Sequence, residues 1–285
     1  MKTVAVYFLL ILVAALVLLP LLWAVSASFT PLEKVFEHVY PFSWRALVPQ
    51  DFTWEAYTNV FQGRSHTAQS VAPQPGLGRP VVSTFILAIG TVVVGGLICA
   101  LAGFAFAQFD FRGKNLLFSL VLLSFMMPVE VTIIPLFVLV KQLGWVNSWQ
   151  GIWVPGLVHG MVIFVFRQFF SEIPRDLIDA ARVDGAGWFR TLRSIVLPLS
   201  LPVMISAGLI LFLYQWDAFL WPMVISPSQE FRLVQVAISL SIEEHQTLWN
   251  ELLAGSMFAA ILPILLILPF QRYYVRGITG SGLKE

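Results

Sequence analysis

Carboxylates set among apolar residues are the first places to look for chemistry in this chain. Glu130 interrupts a hydrophobic run just after Pro128, and Asp217 follows Trp216 at the end of another. Ionisable side chains at such positions face a cavity, a partner or water, because a lone charge in hydrocarbon is costly. Two roles are open for each. Together with Trp216 and Phe219 they can border a route for a polar solute; alternatively, Glu130 serves backbone freed by Pro128 and Asp217 touches interfacial water.

Other chemistries lack their residues. His159 has no second His or Cys at metal-binding spacing, and Glu244-His245 lacks the second His of a zinc-protease helix. No Gly-x-Ser-x-Gly nucleophile turn occurs. Gly113-Lys114 has neither the upstream glycine nor the following Ser/Thr of a phosphate-binding loop, so ATP is expected to bind elsewhere. The single cysteine, Cys99, lies in a hydrophobic run and supports neither a disulfide framework nor a cysteine metal cluster. No catalytic, cofactor or metal site is expected in this chain, and it does not read as an enzyme.

The densest polar cluster lies between two apolar stretches. Ile178-Asp179-Ala180-Ala181-Arg182-Val183-Asp184-Gly185 is followed, after nine residues, by Ile195-Val196-Leu197-Pro198. Pro174 suits a first helical position, Asp176 and Asp179 complement the helix dipole, and Gly185 offers a left-handed stop. A helix of about ten residues is marginal in water, so packing must hold it. Ala180 and Ala181 make its middle slim enough to enter a groove, and Arg175, Arg182, Arg190 and Arg193 supply charged contacts around it. A docking element gripped from outside the membrane and a plain interfacial connector both fit.

The elements that position these residues follow from composition. Hydrophobic residues make up 58% and charged residues 12% of the 285, against about 25% charged in soluble domains, which marks an integral membrane protein. Apolar runs long enough to span predict six helices near residues 4–29, 82–107, 116–140, 149–167, 195–219 and 252–270. Residues 30–80 then form an outer loop and residues 168–194 an inner one, all within one membrane domain. Lys2, Arg112, Lys114, Arg167, Arg175, Arg182, Arg190, Arg193, Arg272, Arg276 and Lys284 fall on one face. Of the remaining cations, Lys34, Arg45, Arg64 and Arg79 sit in the long first loop, leaving Lys141 and Arg232 for the other two loops. Cationic loops resist translocation, so both termini are expected in the cytoplasm. The first apolar run exceeds a signal-peptide core and is expected to be retained. Nucleic acid is not expected as a partner, since membrane orientation accounts for the cations.

Within the second expected span, Gly95, Cys99, Gly103 and Ala107 recur every four residues, which gives one face only small side chains and predicts a close-packing seam with a neighbour in this chain or in a partner. In the outer loop, Phe52 to Phe61 can form a short interfacial helix carrying Trp54, Tyr57 and Phe61, or simply cap the bundle. Gly63 to Gly78 reads as irregular. No internal repeat argues for an inverted-repeat carrier.

The spacing Asp179-Ala180-Ala181, three residues, Gly185, nine residues, Ile195-x-Leu197-Pro198 is similar to the loop signature of ABC importer permeases, Glu-Ala-Ala, three, Gly, nine, Ile-x-Leu-Pro. Asp179 replaces the usual Glu and is one methylene shorter. Pro20-Leu-Leu-Trp23, Phe111-Arg-Gly-Lys114, Met127-Pro128 with Ile134-Pro135, Arg167-Gln-Phe-Phe170, Ile173-Pro174 and Trp216-Asp-Ala-Phe-Leu-Trp-Pro222 extend the likeness. So do Gln271-Arg-Tyr-Tyr-Val-Arg-Gly277 and Gly280-Ser-Gly-Leu-Lys284. The whole resembles the second permease subunit of the carbohydrate-uptake branch, the maltose-permease-G type, although Asp217-Ala218 departs from the family's Asn followed by an acid or polar residue.

The resemblance implies an all-α, six-span, type I importer bundle in a prokaryotic cell membrane. It assigns Asp179, Ala180, Ala181, Asp184, Gly185, Ile195, Leu197 and Pro198 to a coupling loop whose helix sits in a cleft of a separate ATPase subunit. ATP and Mg would then be held by that ATPase. The implied partners are a second homologous permease, two ATPase subunits and an extracytoplasmic solute-binding protein, with a carbohydrate or polyol as substrate. Glu130, Trp216, Asp217 and Phe219 are the candidates for the translocation path, where Trp216, Phe219 and Trp221 can stack on a sugar or anchor the interface. The rival is a self-contained secondary carrier or channel in which Glu130 and Asp217 handle a coupling ion.

Overall fold

The computed structural model describes residues 2–63, 76–240 and 247–270, and it is built from helices and turns. Glu244-His245, the segments beginning at Gln271 and Gly280, and most of the stretch expected to be irregular before Gly78 lie outside these residues. The chain gathers into two compact units, Met1–Val82 with Leu233–Leu262, and Ser83–Arg232 with the chain from Pro263 onward.

The first unit begins with helix α1, Lys2–Ser28. It is apolar all round and exposed from Val4 to Leu22, and burial starts only at Ala24, Ala27 and Ser28. Such a helix needs lipid or neighbouring helices along its length. Its end is capped by aromatic rings, since Phe29 lies 5.0 Å from Phe52, 5.0 Å from Trp54 and 4.9 Å from Tyr57. Helix α2, Glu55–Gln62, forms where a helix was expected, but its buried face is Ala56 and Asn59. Trp54 and Tyr57 instead wrap Phe29, so the segment is both a helix and a cap. Asn59 Nδ2 donates to Glu251 Oε1 at 3.1 Å in a buried contact.

The second unit is organised around helix α3, Gly78–Gln108, from Ser83 onward, and this part carries a π-helical turn at Thr91–Gly95. Helices α4, Lys114–Met126, and α5, Val129–Gln142, follow and meet at 104°. The sequence expectation of one continuous span over 116–140 gives way to this bent pair for a local reason. Pro128 has no N–H for the ladder and forces Met127 into extended backbone, with ψ at 127°.

Helix α6, Trp149–Trp153, leads through a tight turn at Val154–Gly156 to helix α7, Gly160–Glu172. Next come helix α8, Arg175–Val183, and helix α9, Trp188–Leu199, whose middle is a π-helical turn at Leu192–Val196. Helix α10, Leu201–Trp216, leaves α9 at 85°. The expected run over 195–219 is thus also a bent pair, because Pro202 cannot continue the ladder past Ser200, whose Oγ donates back to the Val196 carbonyl at 2.6 Å. Helices α11, Leu220–Ile225, α12, Val234–Ser239, and α13, Trp249–Phe270, complete the described chain. Of all these, α1, α3, the stretch Trp149–Glu172 and α13 are long and apolar enough to cross a membrane, and the two bent pairs raise the number to six if each counts once.

The core of the second unit is the seam between α3 and α7. A Cβ on Gly95 would fall 2.1 Å from the Leu157 carbonyl oxygen, and one on Gly103 would fall 2.5 Å from the Phe166 Cβ. The small-residue face therefore lies against a neighbour in the same chain, at a distance only glycine permits. Cys99 and Phe104 of α3, Val162, Phe166 and Phe170 of α7, Ile178 of α8, Val196 of α9 and Leu211 of α10 form one continuous buried cluster around it. Gln108 Nε2 donates to the Phe170 carbonyl at 2.9 Å and ties the ends of the two seam helices together.

Candidate functional site

The apolar spacing of α8 sets which of its faces is packed. Ile178 is 3% exposed and Ala181 6% exposed, one turn apart on the face toward the core. Leu177, Ala180, Val183 and Asp184 are exposed, with Val183 at 88%. This corrects the expectation that both alanines form the slim outer middle: Ala181 belongs to the chain's own core, and only Ala180 lies on the open face. The helix runs nine residues. Pro174 stands just before its first turn, one place earlier than expected, and Asp176 occupies that first turn.

Its C-terminus is closed by the expected glycine. Gly185 has φ +76°, the left-handed region. There its N–H donates to the Arg182 carbonyl at 3.0 Å and the next N–H, of Ala186, reaches back to the Ala181 carbonyl at 2.9 Å. This is the paired 5→2 and 6→1 pattern that satisfies the last carbonyls of a helix. Asp184, the last residue before the glycine, donates its N–H to the Ala180 carbonyl at 3.0 Å. Asp179 is exposed and lies 3.7 Å from the Arg182 guanidinium.

Further along, Ile195 lies in the π-helical turn of α9, and Leu197 and Pro198 start the segment after it. The residues of this stretch that reach the core are Leu192, Val196 and Ser200 instead of Ile195 and Leu197, which are half-buried, while Pro198 is exposed. The wider π turn changes the angular register by a fraction of a turn, which a 3.6-residue reading does not anticipate. Arg175, Arg190 and Arg193 are exposed around α8, and Phe189 is 72% exposed beside them.

One contact here was not foreseen. The Arg182 guanidinium carbon stands 4.0 Å above the Trp188 ring, and that ring meets Phe109 at 4.6 Å and Phe104 at 6.2 Å, both edge-on. A cavity of about 450 Å³ opens beside it, lined among others by Gln108, Asp110, Arg175, Asp179, Arg182 and Trp188. Phe104 near the end of a predicted span, Phe109 just past it and Trp188 just past a glycine stop were the available signal.

The four residues expected on a solute route do not share one site. Asp217 and Phe219 line a cavity of about 470 Å³, together with Tyr214, Gln215 and Trp221 and with Val129 and Leu136 of α5. Trp221 is held there by its Nε1, which donates to the Gly151 carbonyl at 2.9 Å. Trp216 is 1% exposed, stacked on Phe212 at 5.7 Å inside the unit, and so is a packing residue. Glu130 is exposed in the first turn of α5, where a carboxylate favours the helix dipole, and is outside the cavity lining. His159 packs edge-on against Tyr214 at 4.7 Å. Among the described residues, no three His, Cys, Asp or Glu gather as a metal site.

Comparison with known proteins meets this geometry. The chain is 31% identical over 236 residues to the arabinooligosaccharides transport system permease protein of Bacillus subtilis strain 168, covering 83% of this chain and 80% of that one. It is 30% identical over 277 residues to the sn-glycerol-3-phosphate transport system permease protein of Yersinia pestis, covering 96% and 95%. Its fold matches a chain of a bacterial ABC transporter involved in the import of the acidic polysaccharide alginate, with a TM-score of 0.77, 20% identity and 96% of each chain covered. The model of the family described as binding-protein-dependent transport system inner membrane component matches residues 92–276, which include α8, both bent pairs and the Asp217 cavity, and the chain belongs to that family as a membrane-embedded transport subunit without enzymatic activity of its own.

Proposed function

We propose that this chain is one of two permease subunits of an ATP-driven importer for a sugar or related polyol, forming half of the translocation path and coupled to an ATPase through α8. The observation that carries the reading is the two-sided build of α8. Ile178 and Ala181 fasten it to the core, while Leu177, Ala180 and Val183 leave an apolar stripe open between exposed arginines and the exposed carboxylates Asp176, Asp179 and Asp184. A soluble partner with an apolar cleft rimmed by charges of both signs fits that stripe.

In this reading the chain crosses the membrane six times with both termini cytoplasmic, and two ATPase subunits bind ATP and Mg on the same side as α8. A second permease completes the path, and an extracytoplasmic binding protein delivers the solute. Support comes from the cationic face of the sequence, the family, and relatives named as permeases of arabinooligosaccharide and glycerol phosphate systems. Asp217 and Phe219 border the path at the cavity they share.

The test is purification in mild detergent followed by reconstitution. An ATPase and a second permease should co-purify, and vesicles holding this chain alone should pass no solute. Flux by the isolated chain under an ion gradient would replace the reading with a self-contained carrier or channel. A thiol placed at Ser194 should react with an impermeant reagent only from the cytoplasmic side, since the native Cys99 is buried; reaction from outside rejects the topology.

A further inference from the structure

We infer that Trp188 is the positioning residue that joins α8 to α3, so that movement of α8 reaches the seam of the bundle. This rests on the coupling reading above and adds the route by which the motion travels.

Two attachments hold α8. One is the buried pair Ile178 and Ala181, of which Ile178 belongs to the continuous core cluster. On the flank toward the end of α3 the helix is not packed: the cavity of about 450 Å³ separates Arg175, Asp179 and Arg182 from Gln108 and Asp110. Trp188 bridges the edge of that gap. One face of its ring takes the Arg182 guanidinium at 4.0 Å, and the ring meets Phe109, which caps the end of α3, and Phe104, five residues earlier. Arg182 is in the last turn of α8. Gly185 closes that helix with open space beside its Cα, and the contact of the Trp188 ring with Arg182 and Phe109 is the link at this end that reaches α3. Beyond Phe109, Gln108 is bonded to Phe170 and Gly103 abuts Phe166, so α3 and α7 move as one body. Trp188 touches no solute or nucleotide in this scheme; it acts through Arg182 and Phe109.

The experiment uses the assembled complex with its ATPase subunits. A fluorophore on Leu101→Cys, an exposed position of α3, reports motion of the seam when ATP is added. Wild type should give an ATP-dependent spectral change. Trp188→Ala should keep ATPase co-purification and lower the thermal midpoint by no more than about 4 °C, while that change falls by at least about fivefold, the scale of a lost aromatic pair and cation–π contact. Trp188→Phe, which keeps the ring contacts with Phe109, should restore most of it, and Arg182→Gln should fall between. A full ATP response in Trp188→Ala overturns the inference. If Trp188→Ala does not fold, the order of Trp188→Phe and Arg182→Gln decides: equal, wild-type responses in both reject it. Failure of the wild-type chain to bring down any ATPase would instead strike the proposed function.

Discussion

Gly103 of α3 lies so close to Phe166 of α7 that a Cβ at position 103 would stand 2.5 Å from the Phe166 Cβ and 3.0 Å from the Arg167 amide nitrogen. Neither neighbour is the free end of a flexible side chain, so the backbones themselves would have to part. Gly103→Val should destabilise the chain by about 1–3 kcal/mol or more, the range for overpacked cores, read as a lower thermal midpoint in detergent. Gly187→Ala is the control. A Cβ there would meet nothing within 4 Å, and the midpoint should not move.

The two alanines of α8 should separate docking from folding. Ala180 is exposed and Ala181 is buried. Ala180→Glu should leave the purified chain monodisperse and thermally unchanged while ATPase co-purification falls, because only the open face is altered. Ala181→Glu pushes a carboxylate into an apolar contact and should give aggregated or unstable protein before docking is ever tested. Equal behaviour of the two variants would contradict the assignment of faces.

Much of this site was legible in the residues. The glycine stop at 185, the four-residue repeat of small side chains in α3 and the placement of the arginines are local or strictly periodic signals, and each has a direct structural counterpart. What was not legible came from geometry that periodicity omits. Pro128 and Pro202 turn apolar runs of sufficient length into bent pairs, so length alone overstates straight spans. The π turn at Leu192–Val196 rotates the following face, which is why Val196 is buried and Ile195 only half so. Trp216 looked available to a solute because it neighbours Asp217, but its ring is turned inward onto Phe212. The contact of Trp188 with Phe109 joins residues in different helices, which no single stretch of sequence displays.

Gly185 should tolerate asparagine better than valine. Its φ of +76° is open to glycine and accessible to asparagine, whereas a β-branched residue there costs about 1–2 kcal/mol or more. Because space around the position is empty, the penalty is conformational and falls on the end of α8, not on the bundle. Gly185→Val should therefore lower ATPase association with little shift of the main thermal transition, and Gly185→Asn should lie between it and wild type.

Asn59 and Glu251 form a buried polar pair in the first unit, just ahead of the charge-free apolar run of α13. Asn59→Leu removes the donor and leaves an acid oxygen without that bond, at a cost of about 1.5–3 kcal/mol if the acid is ionised. Glu251→Gln keeps an acceptor oxygen at the same place and should be the milder change. A thermal midpoint lowered more by Glu251→Gln than by Asn59→Leu would show that the bond contributes less than the charge.

Asp217 and Glu130 should part company in an uptake assay. Asp217 shares its cavity with Tyr214, Gln215 and Phe219, a lining that offers hydrogen bonds and ring faces to a hydroxylated solute. Glu130 stands in the exposed first turn of α5, outside that lining, where its role is met by the helix dipole. Asp217→Asn keeps the size and one acceptor but changes the charge and donor pattern, and should cut ATP-driven uptake by about tenfold, equivalent to one good hydrogen bond at about 1.4 kcal/mol. Glu130→Gln should change uptake less than about twofold, since a dipole contact at an exposed turn is worth a few tenths of a kcal/mol. The measurement is initial uptake in vesicles holding equal amounts of assembled complex. The reverse order, with Glu130→Gln the more damaging, would move the path away from the Asp217 cavity and toward the bend between α4 and α5.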